Sequence, residues 1–315
     1  MTLLLLPLLA VQSCTSTDTF TNGANPNGWN FTSFDVVETS GGNPDGWLHV
    51  SGLDTFYPIL EAGPAAAAPW TGDFRAAGVV RISLDAQTLH TDFNTFGNPM
   101  TLLLRDTKGT LDVNDDDYAY ALGGEMPLVG AGWQHYDFAV PSRSIAQVPP
   151  GWKGGWAGDG EHFRPGVSWS DVIVGVDRVE IWWNDPTFFS IFQMWEVGVD
   201  NLAIECRTGL ELDAPVPGVA GAANAFTLRN ADTGDFVGIA GSLTIGATLV
   251  SCGGGQLVPS GLGALAALGA GFADGAGIFT VIMQVPAGLS GVTVNLQAFD
   301  RSRCELSAVR ADTFL

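Results

Sequence analysis

Basic residues are scarce in this chain of 315 residues: 13 Lys and Arg stand against 33 Asp and Glu, a formal net charge of −20. Lys108 and Lys153 are the two lysines. A nucleic-acid partner needs a basic stripe to neutralise phosphates, and an anionic membrane surface attracts the same stripe. No nucleic-acid partner is expected, and an anionic membrane surface is disfavoured for the same reason. Catalytic signatures are missing as well. There is no Gly-x-Ser-x-Gly elbow, no His-Glu-x-x-His, no phosphate-binding glycine loop and no dinucleotide fingerprint. Histidine occurs four times, at His49, His90, His135 and His162. Cys-x-x-Cys spacing is absent, which removes a cysteine metal cluster. Apolar residues at helical spacing are rare, and no uninterrupted apolar run reaches the roughly 20 residues of a membrane-spanning helix. The uncharged stretch from Val237 to Ala273 comes nearest, but glycines interrupt it throughout and it contains Cys252 and Pro259. It reads as strands and a long Gly/Ala loop, so no transmembrane segment is expected.

What the chain has is glycine (41), proline (17) and short runs of aromatic and β-branched residues. That balance predicts an all-β protein with many turns. Strands are expected at Asp18–Phe20, Trp47–Val50, Val79–Leu84, Met100–Leu104, Tyr118–Leu122, Trp133–Val140, Val172–Val176, Arg178–Trp183 and Phe192–Val197, with a last one from Trp195 to Ile204. Their spacing suits two antiparallel sheets packed face to face. Leu210–Pro217 reads as a Pro-bearing linker. Beyond it, strands at Ala225–Arg229, Phe236–Ala240, Phe279–Val285 and Val292–Ala298 predict a second, smaller β-sandwich. The expected order is residues 1–13, 14–209, a linker over 210–217, and 218–315.

Met1–Val11 is an apolar run of signal-peptide type without the usual positive start. Residues 1–13 are therefore read as a signal peptide, and the expected location is extracellular or at the cell surface. Val11-Gln12-Ser13-Cys14 loosely matches a lipoprotein cleavage box, so lipidation of Cys14 is the alternative fate of that residue. Four cysteines in an exported protein invite pairing. Cys14 and Cys206 flank the first and last strands of the large domain, and Cys252 and Cys304 both lie in the C-terminal region. One disulfide per domain is expected.

The first domain resembles the laminin B (domain IV) family of jelly rolls, related in shape to carbohydrate-binding sandwiches. The residues that carry the resemblance are Gly28-Trp29, an acidic loop at Glu38, and Trp70-Thr71-Gly72-Asp73-Phe74 before a strand led by Gly78. Trp133-Gln134-His135-Tyr136-Asp137-Phe138, Trp169-Ser170-Asp171-Val172 and Val199-Asp200-Asn201-Leu202 complete it. It covers residues 17–205 and leaves the insert 151–166 unmatched. The second domain looks like the C-terminal sandwich modules of exported bacterial proteins. The resemblance implies an antiparallel jelly-roll β-sandwich and binding or structural work, with no shared catalytic centre. It also implies a structural calcium ion held where the first strand, an early loop and the last strand converge. Asp18, Glu38 and Asp200 match those positions, alongside carbonyls of a loop such as Ser40-Gly41-Gly42. The rival reading gives Asp200 and Asn201 only turn or cross-strand hydrogen bonds.

A second oxygen cluster, Asp112-Val113-Asn114-Asp115-Asp116-Asp117-Tyr118, has the alternation of a calcium loop. Its EF-hand continuation fails, because Asp117 stands where the glycine belongs and Gly123 where the bidentate Glu belongs. Asp159-Gly160-Glu161-His162 offers a carboxylate beside an imidazole, an acid/base pair or simply a polar loop. Ten tryptophans remain. Trp133, Trp169 and Trp195 read as core. Trp152 and Trp156 in the insert, with Trp182 or Trp183, read as an aromatic platform for sugar rings, because adjacent strand residues face opposite sides. The expected function is an exported, non-catalytic module that binds a glycan or matrix polymer. A polysaccharide-acting hydrolase or lyase using paired carboxylates is one alternative. A purely structural or adhesive surface protein is the other.

Overall fold

The computed structural model describes residues 15–31, 34–62, 66, 68–141, 147–154, 167–188, 192–207, 209–252 and 257–315. The chain divides into two compact units, Cys14–Cys206 and Arg207–Leu315. Both are built from antiparallel sheets, so the all-β reading holds.

The strands of the first unit are β1 (Ser16–Asp18), β2 (Asp35–Glu38), β3 (Trp47–Thr55), β4 (Ile59–Glu61), β5 (Val79–Thr91) and β6 (Pro99–Asp106). They continue as β7 (Asp117–Glu125), β8 (Gln134–Ala139), β9 (Trp152–Gly154), β10 (Arg178–Trp182) and β11 (Gln193–Cys206). One sheet has the order β2-β3-β11-β5-β8 with β1 also on β11, and the other runs β4-β10-β6-β7-β9. Period-two alternation separates their faces. Ile82, Leu84 and Ala86 of β5 point into the core with Trp195, Val197 and Val199 of β11, against Leu102, Leu104 and Ile181 of the second sheet. The intervening Asp85, Gln87, Glu196, Gly198 and Asp200 fall on the outer face.

Val172–Val176 is not a strand. Trp169–Val174 forms a short helix, α2, following the four-residue α1 (Phe74–Ala77). A capping box explains the difference: the Ser168 hydroxyl accepts from Asp171 N–H and the Asp171 carboxylate accepts from Ser168 N–H. These side chains satisfy the helix-end donors locally, and the turn buries Trp169, Val172 and Ile173.

The second unit contains β12 (Glu211–Leu212), β13 (Ala223–Arg229), β14 (Phe236–Ser242), β15 (Leu249–Ser251), β16 (Leu257–Pro259) and β17 (Ala266–Phe272). It closes with β18 (Phe279–Gln284), β19 (Thr293–Asp300), β20 (Glu305–Leu306) and β21 (Arg310–Thr313). A three-stranded sheet, β12-β13-β18, faces β17-β14-β19-β20, with β21 also on β19 and a separate β15–β16 hairpin. Residues 210–217, expected as a linker, contribute β12 and bury Leu210 and Leu212 in this core. The Gly/Ala stretch folds as strands because its glycines make room for facing side chains. A Cβ on Gly238 would come within 2.3 Å of the Phe299 ring, and one on Gly271 within 2.6 Å of the Phe279 ring.

Cys206 is disulfide-bonded, and Cys14 lies outside the described residues. No disulfide joins Cys252 to Cys304 in this structure. Both line one narrow pocket, Cys252 just after β15 and Cys304 in the tight turn between β19 and β20, where its φ is 59°.

That same turn is organised by Arg303, whose side chain is fully buried. Its guanidinium lies 2.8 Å from Asp232, 2.8 Å from Asp235 and 3.4 Å from Asp300. Asp300 accepts from Ser302 N–H and Arg303 N–H. Burial, followed by the charge of Asp235, pushes the Asp300 carboxyl up to about 8. The folded state therefore holds this proton more tightly than the unfolded chain, where an aspartate titrates near ~3.9. The resulting stabilisation is complete below that value and is lost as pH rises through about 8. Asp300→Asn keeps the carbonyl for the turn and presents an amide to Asp235. Its melting temperature should fall less than that of the parent between pH 5 and pH 9, and parallel profiles would reject the assignment.

Candidate functional site

The outer face of the first unit's larger sheet gathers titratable groups along one row. Asp200 of β11 pairs in register with Asp85 of β5, and Asp85 with His135 of β8. Asp85 Oδ1 lies 2.7 Å from His135 Nδ1, and Asp85 Oδ2 accepts from the Asn201 amide at 2.7 Å and the Asn43 amide at 3.1 Å. Asp200 accepts from Asn43 N–H at 2.6 Å and from Asn201 N–H at 2.7 Å. The turn at residues 39–46 is thereby tied down over two buried carboxylates. Burial raises Asp200 to about 6, and the bond with Asp85 raises His135 above its ordinary value. Asp200 is sealed beneath the turn, so it cannot reach a substrate as a glycosidase acid must.

Next to this row, Trp47 lies flat on β11. A Cβ at Gly198 would approach its ring to 2.1 Å, so only glycine permits the contact. His49 stacks on Trp47 at 4.4 Å and sits between two carboxylates, Glu196 at 3.1 Å and Glu38 at 3.5 Å. Trp133 meets Trp47 edge-on at 5.6 Å.

The three residues expected to hold calcium belong to separate networks. Asp18 is buried and accepts from Trp29 Nε1–H at 2.6 Å and from the Asn27 amide at 2.8 Å. Glu38 faces His49, and Asp200 holds the turn. Among the described residues, no group of three or more His, Cys, Asp or Glu side chains is arranged to hold a metal ion. Main-chain oxygens do converge at the turn. A Cβ on Gly46 would lie 2.3 Å from the Phe20 carbonyl oxygen and 2.9 Å from that of Glu38. One on Gly42 would lie 2.3 Å from the Gly46 carbonyl oxygen and 2.8 Å from Asp200 Oδ2. Asp18 and Asp200 both already accept hydrogen bonds, Asp18 from Trp29 and Asn27 and Asp200 from Asn43 and Asn201. The Asp112–Asp117 cluster is spent otherwise. Asp116 pairs with Arg105 at 2.8 Å, Asp117 with Lys108 at 2.9 Å, and Asp112 accepts from Asn114, which lowers its carboxyl.

The expected aromatic platform is not assembled as read. Trp152 is 7% exposed, donates to the Ala139 carbonyl at 3.0 Å and packs edge-on against Trp169. Its apolar neighbours claim it because β9 pairs with β7 and closes that sheet. Trp183 is fully buried against Phe31. Trp156 and Asp159–His162 lie outside the described residues. Trp182 alone stands partly open, donating to Glu180 Oε2 at 2.7 Å, with Tyr57 tilted over it at 5.4 Å. Burial, with Asp185 and Glu180 nearby, raises the Tyr57 phenol to about 12, which keeps it a donor.

That pair leads to a rim of phenylalanines that sequence reasoning passed over. The loops after β3, β5 and β10 emerge at one end of the sandwich, because Thr55 pairs with Gln193 and Thr91 with Trp195. Phe56 and Phe192 stack at 4.5 Å with 28° between their planes, and both are exposed, Phe192 to 64%. Phe93 links Trp195 of the core, at 5.6 Å, to the exposed Phe188 at 6.3 Å, while Phe96 nearby is 75% exposed. A signal existed: five phenylalanines fall in short segments following or preceding strand ends, and four of them, Phe56, Phe96, Phe188 and Phe192, are exposed.

No family model matches the chain, and no curated protein is similar to it. Among solved structures, it is similar to the crystal structure of the adhesin domain of Epf from Streptococcus pyogenes at 10% identity, over 96% of this chain and 97% of that one, with a TM-score of 0.22. At that score the likeness carries neither fold nor function across.

Trp152→Ala should cost about 3–5 kcal/mol, the range for removing a buried tryptophan. Urea denaturation reads the loss directly; a stability within about 1 kcal/mol of the parent would mean that Trp152 is not a core residue.

Proposed function

We propose that the first unit is a non-catalytic binding module of an exported protein, and that it contacts a polysaccharide or matrix polymer through the phenylalanine rim. The observation that carries this reading is the exposed Phe56–Phe192 stack, rooted in the core through the end of the β3–β11 pair. Solvent-facing aromatic area of this kind marks an interaction surface. Sugar rings present apolar C–H faces to such rings, and Asp54 and Asp92, at the ends of β3 and β5, supply acceptors for hydroxyls. Trp182 and Tyr57 extend the row with two further aromatic faces. The commitment of the sheet-face carboxylates to Asn43, Asn201 and His135 favours binding over the hydrolase or lyase alternative. A structural calcium ion at the Gly42–Gly46 turn, held by Asp200 and main-chain oxygens, belongs to the same proposal.

Two measurements test it. The full chain is screened on a glycan array with and without calcium, and the hits are titrated against the double variant Phe56→Ser, Phe192→Ser. Two stacked rings at roughly 0.5–1.5 kcal/mol each predict a loss on the order of tenfold or more, with the melting temperature nearly unchanged because both rings are exposed. Equal affinity in the folded double variant would sink the rim as the binding surface. For the ion, millimolar calcium should raise the melting temperature over chelator, with about 2.7 kcal/mol gained at roughly 100 times Kd. Identical melting curves would remove the ion from the proposal.

A further inference from the structure

We propose that the second unit binds one neutral long-chain aliphatic molecule, an alcohol or ester, in a cavity of about 550 Å³ between the ends of β17 and β18. The cavity follows from the side-chain sizes on the two facing edge strands. Toward one end, Gly269 and Gly271 of β17 allow Val281 and Phe279 of β18 to close down on the opposite sheet. Toward the other end, Ala266 and Ala267 leave the space beside Met283 unfilled. Leu268, Leu289 and Val294 complete the walls, and a further 70 Å³ continues past them to Phe226 and Phe314 in the core. The void is therefore apolar along its length and open to solvent.

The lining selects the chemistry. None of its residues is charged, and the sequence carries no charge from Val237 to Ala273. The polar groups sit together at the mouth: Thr244 N–H donates to the Ser242 hydroxyl at 3.1 Å, and the two hydroxyls are 3.5 Å apart. The Gln284 amide is committed to the Gly221 carbonyl at 2.6 Å. A carboxylate or phosphate would find no cation there and would enter a protein of net charge −20. A hydroxyl or ester can share the Ser242–Thr244 pair. An apolar guest seated there would take its own surface and the cavity walls out of water. The size falls within the range of small-molecule sites. The edge of β17 disfavours a second copy of the chain as occupant. Its register with β14 shifts between Gly269 and Ala267, a bulge at Leu268 that breaks a straight pairing edge.

The test is isothermal titration of the full chain with 1-hexanol, 1-octanol, 1-decanol and decanoate. Binding should saturate at one molecule per chain, and affinity should rise about fourfold per methylene along the alcohols. Decanol should bind at least tenfold tighter than decanoate at pH 8. Ala264→Trp and, as a milder filling, Ala267→Phe should each weaken decanol at least tenfold. Ile282→Ser, on the solvent face of β18, should leave it unchanged. No saturable heat with decanol, or equal affinity in both filled variants, overturns the site. Decanoate binding as tightly as decanol overturns the neutral-headed assignment. Binding that appears only after residues 1–13 are removed would make the chain's own apolar segment the occupant. A filled variant that turns a dimer into a monomer would make it a second copy. Either result also overturns the proposal.

Discussion

The first unit hangs on strand β11. Its 14 residues pair with β1, β3 and β5, and its inward side chains, from Trp195 to Ile204, run the length of the core. Its outward positions hold different tasks: Glu196 pairs with His49, Gly198 makes room for Trp47, and Asp200 holds the early turn. Asn201 can do this because it adopts a φ of 50°, a conformation asparagine tolerates better than most residues. The register shift there turns Leu202 back into the core. A strand that is continuous in the core yet shifted in register at several points along its pairing fixes two faces at the same time.

Much of the architecture was legible because strands advertise themselves by alternation and turns by glycine, proline and asparagine. The final strand and the Trp47, Val79 and Trp133 segments fall close to where the pattern places them. The failures have physical causes. Val172–Val176 is β-branched and reads as a strand, but the Ser168–Asp171 capping box supplies the local bonds that start a helix. The stretch 237–273 reads as strands with a long loop because the partners of its glycines, Phe299 on the neighbouring strand and Val281 and Phe279 from the facing sheet, lie far away in sequence. Long-range complementarity of that kind leaves no local trace.

The site was harder to read than the fold. Tryptophan is a poor indicator of a binding surface here: its ring is large enough that Trp152 and Trp183 are drawn into the core. Trp182 differs from its neighbour only by strand parity, which the sequence does supply, and it is the member left partly open. Phenylalanine carries the exposed rim instead, through loops whose convergence depends on pairings such as Thr55 with Gln193. The acidic residues follow the same rule. Asp112–Asp117 looks like a ligand set until Arg105 and Lys108, distant or opposite in the pairing of β6 with β7, are placed beside it.

The pairing of β1 with β11 has a mechanical side. Ser16 lies opposite Ile204, so the chain enters the first unit beside the point where it leaves. Tension applied along the polypeptide would load adjacent ends of two antiparallel neighbours and open their hydrogen bonds one after another, the weakest way to pull a sheet apart. The covalent bond at Cys206, two residues beyond that last pair, stands where such tearing would begin.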